Sequence, residues 1–96
     1  MRRCLIGDIT TAAAALAAVA APDRPALAER LIHQAHAAHH YMKRHAKPHP
    51  AWGNGSLMAR ALAAHSPFGP HPASPDLTAL AEVLAALTRF RNRISQ

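Results

Sequence analysis

Three histidines lie on one side of a predicted helix, at spacings that let neighbouring side chains meet. His36 and His40 are four residues apart, His33 and His36 are three apart, and Glu29 falls on the same side. Imidazole nitrogen and carboxylate oxygen are ligands of Zn²⁺, so a metal site is one hypothesis. The sequence has no HExxH motif, and a further ligand must come from elsewhere. An exposed polar face is the simpler interpretation. We therefore expect no cofactor and keep His33, His36 and His40 only as weak metal candidates.

The residues that serve as nucleophiles in enzymes lack the partners that this chemistry needs. Cys4 is the single cysteine, no GxSxG motif surrounds Ser56 or Ser66, and only 5 acidic residues are present to orient a base. We therefore predict no catalytic residue and no enzymatic activity. The Gly-Asn-Gly-Ser sequence at 53–56 precedes a predicted helix and offers backbone N–H groups to an anion. The alternative is a tight turn in which glycine adopts a positive φ and serine caps the helix.

Basic residues outnumber acidic ones, with 11 Lys and Arg against 5 Asp and Glu and a formal charge of +6. Such a surface favours polyanions or an acidic protein partner. The basic residues fall in three groups: Arg2 and Arg3; Lys43, Arg44 and Lys47; Arg89 and Arg93. If the ends of the second and fourth helices meet, these groups form one surface that contacts phosphates. Nucleic-acid binding through Arg2, Arg3, Arg89 and Arg93 is therefore an alternative function, although no known nucleic-acid-binding motif accompanies them.

Residues 49–58 differ in composition from the rest of the chain, because they contain the single tryptophan and two of the four glycines. Proline and glycine set a turn here, and Trp52 is predicted to tie the loop to two helices by burying its ring. His49 and Asn54 have no sufficient structural role in this interpretation. We therefore predict a partner-binding region made of His49, Trp52, Asn54, Lys43, Arg44 and Lys47.

Apolar residues recur with the period of a helix in four segments, at about residues 8–20, 25–44, 55–65 and 75–94. Asp8, Asp23 and Ser74 are the expected N-caps of the first, second and fourth helices, and Ser56 is expected near the start of the third. The fourth segment has the longest apolar stripe, which we expect to face the core: Leu77, Leu80, Val83, Leu84, Leu87, Phe90 and Ile94.

The predicted fold is all-α, a small four-helix bundle that forms a single domain over residues 1–96. A Pro/Gly/Trp loop joins helices 2 and 3, and a Pro-rich connector, anchored by Phe68, joins helices 3 and 4. A chain of this length excludes a catalytic cleft between two domains. Much of its hydrophobic fraction of 50% is alanine, so the interior is expected to be thin and partner contacts plausible.

The predicted compartment is the cytoplasm, because a single cysteine excludes an internal disulfide framework. Arg2 and Arg3 precede an apolar, alanine-rich run, which has the outline of a secretory signal. A secreted protein with residues 1–20 as signal peptide is therefore the minor alternative. No run approaches the ~20 apolar residues of a membrane span, so we expect no membrane association.

The sequence His-Pro-x-Trp-Gly-x-Gly-Ser-Leu-Met at 49–58 follows a helix that ends in a basic run, and Gly7-Asp8 precedes an Ala/Leu-rich helix. With these features the chain resembles a small domain of unknown function found in Rhodobacter-like alphaproteobacteria. The resemblance covers most of the chain. It implies a short, soluble, helical bacterial protein and supplies no activity.

These observations together favour a small, non-enzymatic interaction or regulatory accessory protein that binds another protein. The partner is not identified by the sequence, and self-association into a homo-oligomer is one form of this function. The alternative is a basic nucleic-acid-associated factor. A histidine-based metal-binding protein comes third.

Overall fold

The computed structural model describes residues 1–64 and 76–94. This part of the chain contains four α-helices: α1 (Ile6–Ala17), α2 (Arg24–His45), α3 (Leu57–Ala64) and α4 (Leu77–Ile94). A 3₁₀ turn at Ala21–Asp23 precedes α2, and an isolated β-bridge joins His49 to Gly53 in the loop before α3. The prediction of an all-α bundle of four helices is confirmed.

The start of α1 differs from the prediction, because Leu5 and not Asp8 is at the N-cap position. Asp8 lies in the first turn of α1, where its Oδ2 accepts a hydrogen bond from the backbone N–H of Leu5 at 2.8 Å. A carboxylate there is stabilised by the positive end of the helix dipole. The helix ends at Ala17, earlier than predicted. The N–H groups of Ala18 and Val19 bond to carbonyls three residues back and tighten the last turn.

The ends of α2 are held by contacts that its local sequence does not reveal. Asp23 occupies the predicted N-cap position, but its side chain makes no capping hydrogen bond. Arg24 instead forms an ion pair with Asp76 at 3.7 Å, which links the beginning of α2 to the beginning of α4. At the other end Ala46 adopts the left-handed conformation, with φ 57° and ψ 27°, and donates its N–H to the Met42 carbonyl. The helix stops there.

Side-chain caps begin α3 and α4. Ser56 Oγ accepts the Ala59 N–H at 3.1 Å, so Ser56 caps α3 as the sequence indicates. Asp76 Oδ1 accepts the N–H groups of Thr78 and Ala79 at 3.0 and 3.1 Å. Asp76 therefore caps α4, where the sequence favoured Ser74. Ser74 itself, His65 at the predicted end of the third helix, and the connector with Phe68 lie outside the described residues.

A single cluster of buried apolar side chains receives residues from all four helices, among them Leu16, Leu31, Leu57 and Val83. α1 packs against α3 and α4, and α2 packs against the same two helices. Most of the buried apolar residues are alanines. Small side chains let helix axes approach closely, so the interior is thin, as expected.

The orientation of α4 agrees with only part of the predicted apolar stripe. Its buried residues are Ala79, Val83, Ala86 and Phe90. Three members of the predicted stripe are exposed instead: Leu77 by 77%, Leu84 by 49% and Ile94 by 58%. Ala79 and Ala86 allow α4 to lie close to its neighbours, and this packing leaves Leu77, Leu84 and Ile94 outside the core.

Candidate functional site

The exposed side of α4 carries a row of large apolar side chains, and we call it the leucine face: Leu77, Leu80, Leu84, Leu87 and Ile94. Leu80 and Leu87 are partly buried against the core cluster, and the other three are exposed. Successive spacings of three, four, three and seven residues keep these side chains on one side of a helix. The sequence contains a signal for this outcome. Ala79, Val83, Ala86 and Phe90 form a second stripe of helical period, which the hydrophobicity of the leucines obscured.

A small ionic cluster joins the last turns of α4 to α2, on the flank of α4 away from the leucine face. Arg89 Nε and Arg93 Nη2 donate hydrogen bonds to the two carboxylate oxygens of Glu29 on α2, at 3.0 and 2.9 Å. The hydrogen bonds from Arg93 and Arg89 hold the pKa of Glu29 below its ordinary value. One carboxylate faces two guanidinium groups, so this end of α4 keeps an excess of positive charge.

The histidine side of α2 is mostly exposed, as a polar face would be, but part of it packs against α4. The edges of the His33 and His36 rings meet the Phe90 ring, with ring centroids 5.7 and 5.1 Å apart. Glu29 on the same side is held by the two arginines of α4. This side of α2 therefore belongs in part to the α2–α4 interface.

The structure brings His36 and His40 together but leaves His33 apart from them. The Nε2 atoms of His36 and His40 are 3.1 Å apart. The α-amino group of Met1 donates to Nδ1 of His36. Burial, followed by the nearby α-amino group, lowers the pKa of His36 below its ordinary value. Nε2 of His33 instead lies 3.8 Å from the Glu29 carboxylate.

An open groove of about 830 Å³ runs along this side of α2 towards its C-terminus. Its lining includes His36, His40, Tyr41, Lys43 and Arg44. Within residues 1–64 and 76–94, no group of three or more His, Cys, Asp or Glu side chains is arranged to hold a metal ion. The lining side chains make the groove cationic and rich in imidazole.

The loop residues predicted to bind a partner have structural roles that the sequence did not reveal. Nδ1 of His49 accepts the N–H groups of Ala51 and Trp52, each at 3.0 Å, and so closes the turn. Asn54 Oδ1 accepts the Ser56 N–H at 3.0 Å. Both side chains satisfy backbone donors that a turn leaves unpaired. Partner binding by His49 and Asn54 remains a prediction.

Trp52 is less central than its size led us to expect. It is half-buried and does not belong to the buried core cluster. Its ring stacks on His49, with centroids 4.7 Å apart and planes 11° apart, and His49 meets Tyr41 of α2 edge-on at 4.9 Å. Gly55 of this loop is buried, has φ +95° and lies against His39 of α2.

Asp8 joins two helix N-termini, a role that local sequence reasoning missed. Its side chain is in a buried position, with 5% of the residue exposed, and Oδ1 accepts the Met58 N–H of α3 at 2.9 Å while Oδ2 accepts the Leu5 N–H of α1. The anion site proposed for residues 53–56 is thus adjacent to an anion of the chain itself. The backbone N–H of Arg2 also donates to the Gly55 carbonyl at 3.0 Å. The N-terminal segment and the loop therefore form one joint.

The basic residues that were predicted to form one surface lie in separate places on the structure. Arg89 and Arg93 bind Glu29 in the second turn of α2, whereas Lys43, Arg44 and the exposed Lys47 lie at its C-terminal end. At 1.5 Å per residue, Glu29 and Lys43 are about 20 Å apart along the helix axis. Arg2 and Arg3 are exposed beside the loop joint.

No described helix is both long enough and apolar enough to cross a membrane. A sequence family described as a domain of unknown function, DUF7742, matches residues 2–90. This range includes Asp8, residues 49–58 and the leucine face except for Ile94. No curated protein and no solved structure matches the chain significantly. The chain therefore belongs to the DUF7742 family of domains of unknown function.

Proposed function

We propose that the protein is a small, non-enzymatic domain that binds another protein, and that its leucine face docks on an acidic amphipathic helix of the partner. The observation that carries this proposal is the exposure of Leu77, Leu84 and Ile94 along one side of α4. Apolar residues clustered on the surface of a small protein mark interaction sites more often than isolated ones do. Covering a fully exposed leucine is worth about 1.5–3 kcal/mol, so several of them supply useful affinity.

The charge of the chain favours an acidic partner over a second copy. Two molecules with a formal charge of +6 repel each other at moderate salt. Arg89 and Arg93 share the carboxylate of Glu29 on the opposite flank of α4 from the leucine face, so the complementarity rests on net charge. Glutamate or aspartate beside the apolar positions of a partner helix would complement the positive charge of the chain. Self-association is the competing outcome.

Two features support a non-enzymatic role in the cytoplasm. Burial, followed by the nearby Asp8 carboxylate, raises the pKa of the Cys4 thiol, so the thiolate nucleophile is scarce at neutral pH. α1 supplies buried Ala12 and Leu16 to the core cluster. Removing residues 1–20 as a signal peptide would expose the surfaces of α3 and α4 on which α1 packs, which favours a location without cleavage.

Nucleic-acid binding remains the second candidate, through the cationic groove at the end of α2. Lys43 and Arg44 line this groove together with Tyr41. Binding of this kind is mainly phosphate-directed and weakens steeply as salt rises. A titration with duplex DNA at low and high salt tests it, and negligible binding at low salt would remove it.

The protein-binding proposal is tested with a synthetic amphipathic helix that carries leucines on one face and glutamates beside them. We expect it to bind the parent protein more tightly than a peptide of the same composition in scrambled order, as measured by fluorescence anisotropy. The double variant Leu77→Ser/Leu84→Ser should weaken binding by about tenfold or more, because two apolar contacts are lost. Both side chains are exposed, so the variant is expected to fold.

Leu62→Ser is the matched control, because Leu62 is an exposed leucine on α3, outside the leucine face. It should bind the peptide like the parent. Equal affinity of parent and double variant, or no preference over the scrambled peptide, contradicts the proposal. A stable dimer in light scattering that the double variant dissociates would identify a second copy as the occupant instead.

A further inference from the structure

His36 and His40 are the two metal-ligating side chains that come closest together in the described part of the chain. Their rings are one helical turn apart on α2, are nearly perpendicular at 87°, and have centroids 4.5 Å apart. The ring nitrogens that face each other are both Nε2, 3.1 Å apart. In this contact one ring donates a proton and the other accepts it.

The distance between the two Nε2 atoms also suits a metal ion bound to both of them. Zn–N bonds are about 2.0–2.1 Å long, so an ion bound to both Nε2 atoms at their present distance would subtend an N–metal–N angle of about 100°. This value lies between the square and tetrahedral angles, and a small rotation of each ring would direct the nitrogen lone pairs at the ion. We infer that His36 and His40 form a two-histidine chelate for a borderline divalent transition-metal ion, such as Zn²⁺ or Cu²⁺.

The surroundings of the two rings define the kind of site. They line an open groove of about 830 Å³, which leaves room for water in the remaining coordination positions. Two imidazole ligands select copper, nickel or zinc over Mg²⁺ and Ca²⁺, which prefer oxygen, and affinity rises from nickel to copper. Lys43 and Arg44 line the same groove and oppose a divalent cation. The site therefore binds metal reversibly and does not hold the fold together.

Metal binding requires the proton on the His36 ring to move. Nδ1 of His36 accepts a hydrogen bond from the Met1 α-amino group, so in the neutral ring the proton is on Nε2, the atom that would coordinate. Coordination through Nε2 therefore needs the proton on Nδ1 and a rearranged contact with Met1.

The test is a competition titration of the tag-free protein with Zn²⁺ against a chromophoric chelator at neutral pH. We expect one equivalent of Zn²⁺ to bind, and none of Mg²⁺. Loss of a residue that only supports a ligand weakens metal sites by about 10–100-fold, so His36→Ala and His40→Ala should each weaken binding by at least about tenfold. With Cu²⁺, electron paramagnetic resonance should report nitrogen coupling that either variant diminishes.

His45→Ala is the matched control, since His45 is an exposed histidine of α2 that lines the same groove. It should bind Zn²⁺ like the parent. Alanine favours a helix, so circular dichroism should find all three variants folded. The inference fails if the parent binds no Zn²⁺, if His40→Ala binds as tightly as the parent, or if His45→Ala loses as much affinity as His36→Ala.

Discussion

Ala46 ends α2 in a backbone conformation that favours glycine. Its φ of 57° is in the left-handed region, and it is the one non-glycine residue with positive φ among those described. A Cβ in this conformation costs about 1–2 kcal/mol. Glycine avoids that cost, but it gives the unfolded chain more conformational freedom, which offsets part of the gain. We therefore expect Ala46→Gly to stabilise the protein by about 0.5–1 kcal/mol in urea unfolding.

The control for Ala46→Gly is the same substitution inside the helix. Ala37 is an exposed residue in the middle of α2. There glycine should destabilise the protein by about 0.5–1 kcal/mol, because it loses helix propensity without relieving strain. If both variants lower stability alike, the left-handed end of α2 is not strained.

Asp8 is a second single residue with a disproportionate role, since each carboxylate oxygen accepts a different backbone N–H. Asp8→Asn keeps the shape but replaces one acceptor by an NH₂ group that faces a donor. A buried N–H left without its acceptor costs about 1–3 kcal/mol, so we expect a loss of that size in chemical unfolding.

Asp23→Asn is the comparison for Asp8→Asn, because Asp23 is exposed and makes no capping hydrogen bond. Its effect should stay within about 0.5 kcal/mol. Equal effects of the two variants would mean that general charge, and not the bridge between α1 and α3, explains the importance of Asp8.

At the scale of elements, the loop before α3 is placed by its close approach to α2. A Cβ added at Gly55 would lie 2.6 Å from the backbone Cα of His39, at a φ of +95°. Neither the helix backbone nor the loop can move away without loss of packing. Gly55→Ala should therefore lower the free energy of unfolding by at least about 2 kcal/mol, measured by thermal or chemical denaturation.

Gly7→Ala is the control for Gly55→Ala, because the added Cβ would meet a heavy atom at the same distance of 2.6 Å. That atom is the terminal methyl of Met58, a flexible side chain that can rotate away. Gly7 also lies within α1, where alanine gains about 1 kcal/mol of helix propensity. A penalty for Gly7→Ala as large as that for Gly55→Ala would contradict this account of the loop.

The existence of the helices could be predicted because it depends on local patterns. Which side of α4 is buried in the core could not. Periodicity, proline and the Ser56 cap act within a few residues along the chain. α4 carries two apolar stripes, and the choice between them depends on how closely α1 and α2 approach. Leucine has the greater hydrophobicity, but Ala79 and Ala86 allow the closer packing, and that packing is a property of the assembled bundle.

At the scale of the whole molecule, helix packing sets the surroundings of candidate sites whose own residues lie on single helices. The spacing of His36 and His40 was visible locally, and their rings do meet. The contact of Phe90 with His33 and His36 and the ion pairs of Glu29 with α4 were not visible, because they arise only when α4 packs beside α2. Asp8 likewise meets a residue 50 positions away. Charge and composition favour a binding protein, and the surface that we propose for it depends on how α4 packs.

The same packing makes the stability of the whole molecule depend on pH. Burial is the first cause that lowers the pKa values of His36 and His39 from 6.5. Nearby positive charge also opposes protonation of both rings. The Met1 α-amino group and His40 act on both of them, His33 acts on His36, and Lys43 and Arg2 act on His39. The folded state thus binds these protons less readily than the unfolded chain. Stability should fall as pH drops through about 6.5 and continue to fall to the lower folded pKa values.

A melting-temperature series from about pH 8 to pH 5.5 measures this loss together with that from the Met1 α-amino group, whose pKa is also lowered by burial. Carboxylates with ordinary values near 4 stay ionised throughout that range. Glu29 stays ionised as well, because its pKa lies below 4.5. The parent should melt at a progressively lower temperature, and His36→Gln, which cannot take up a proton, should lose less. His45→Gln is the control, because the exposed His45 ring lies outside the α2–α4 interface. It should follow the parent. If His36→Gln also follows the parent, proton uptake at His36 is not coupled to folding, and the packing of α4 over this side of α2 is looser than the structure indicates.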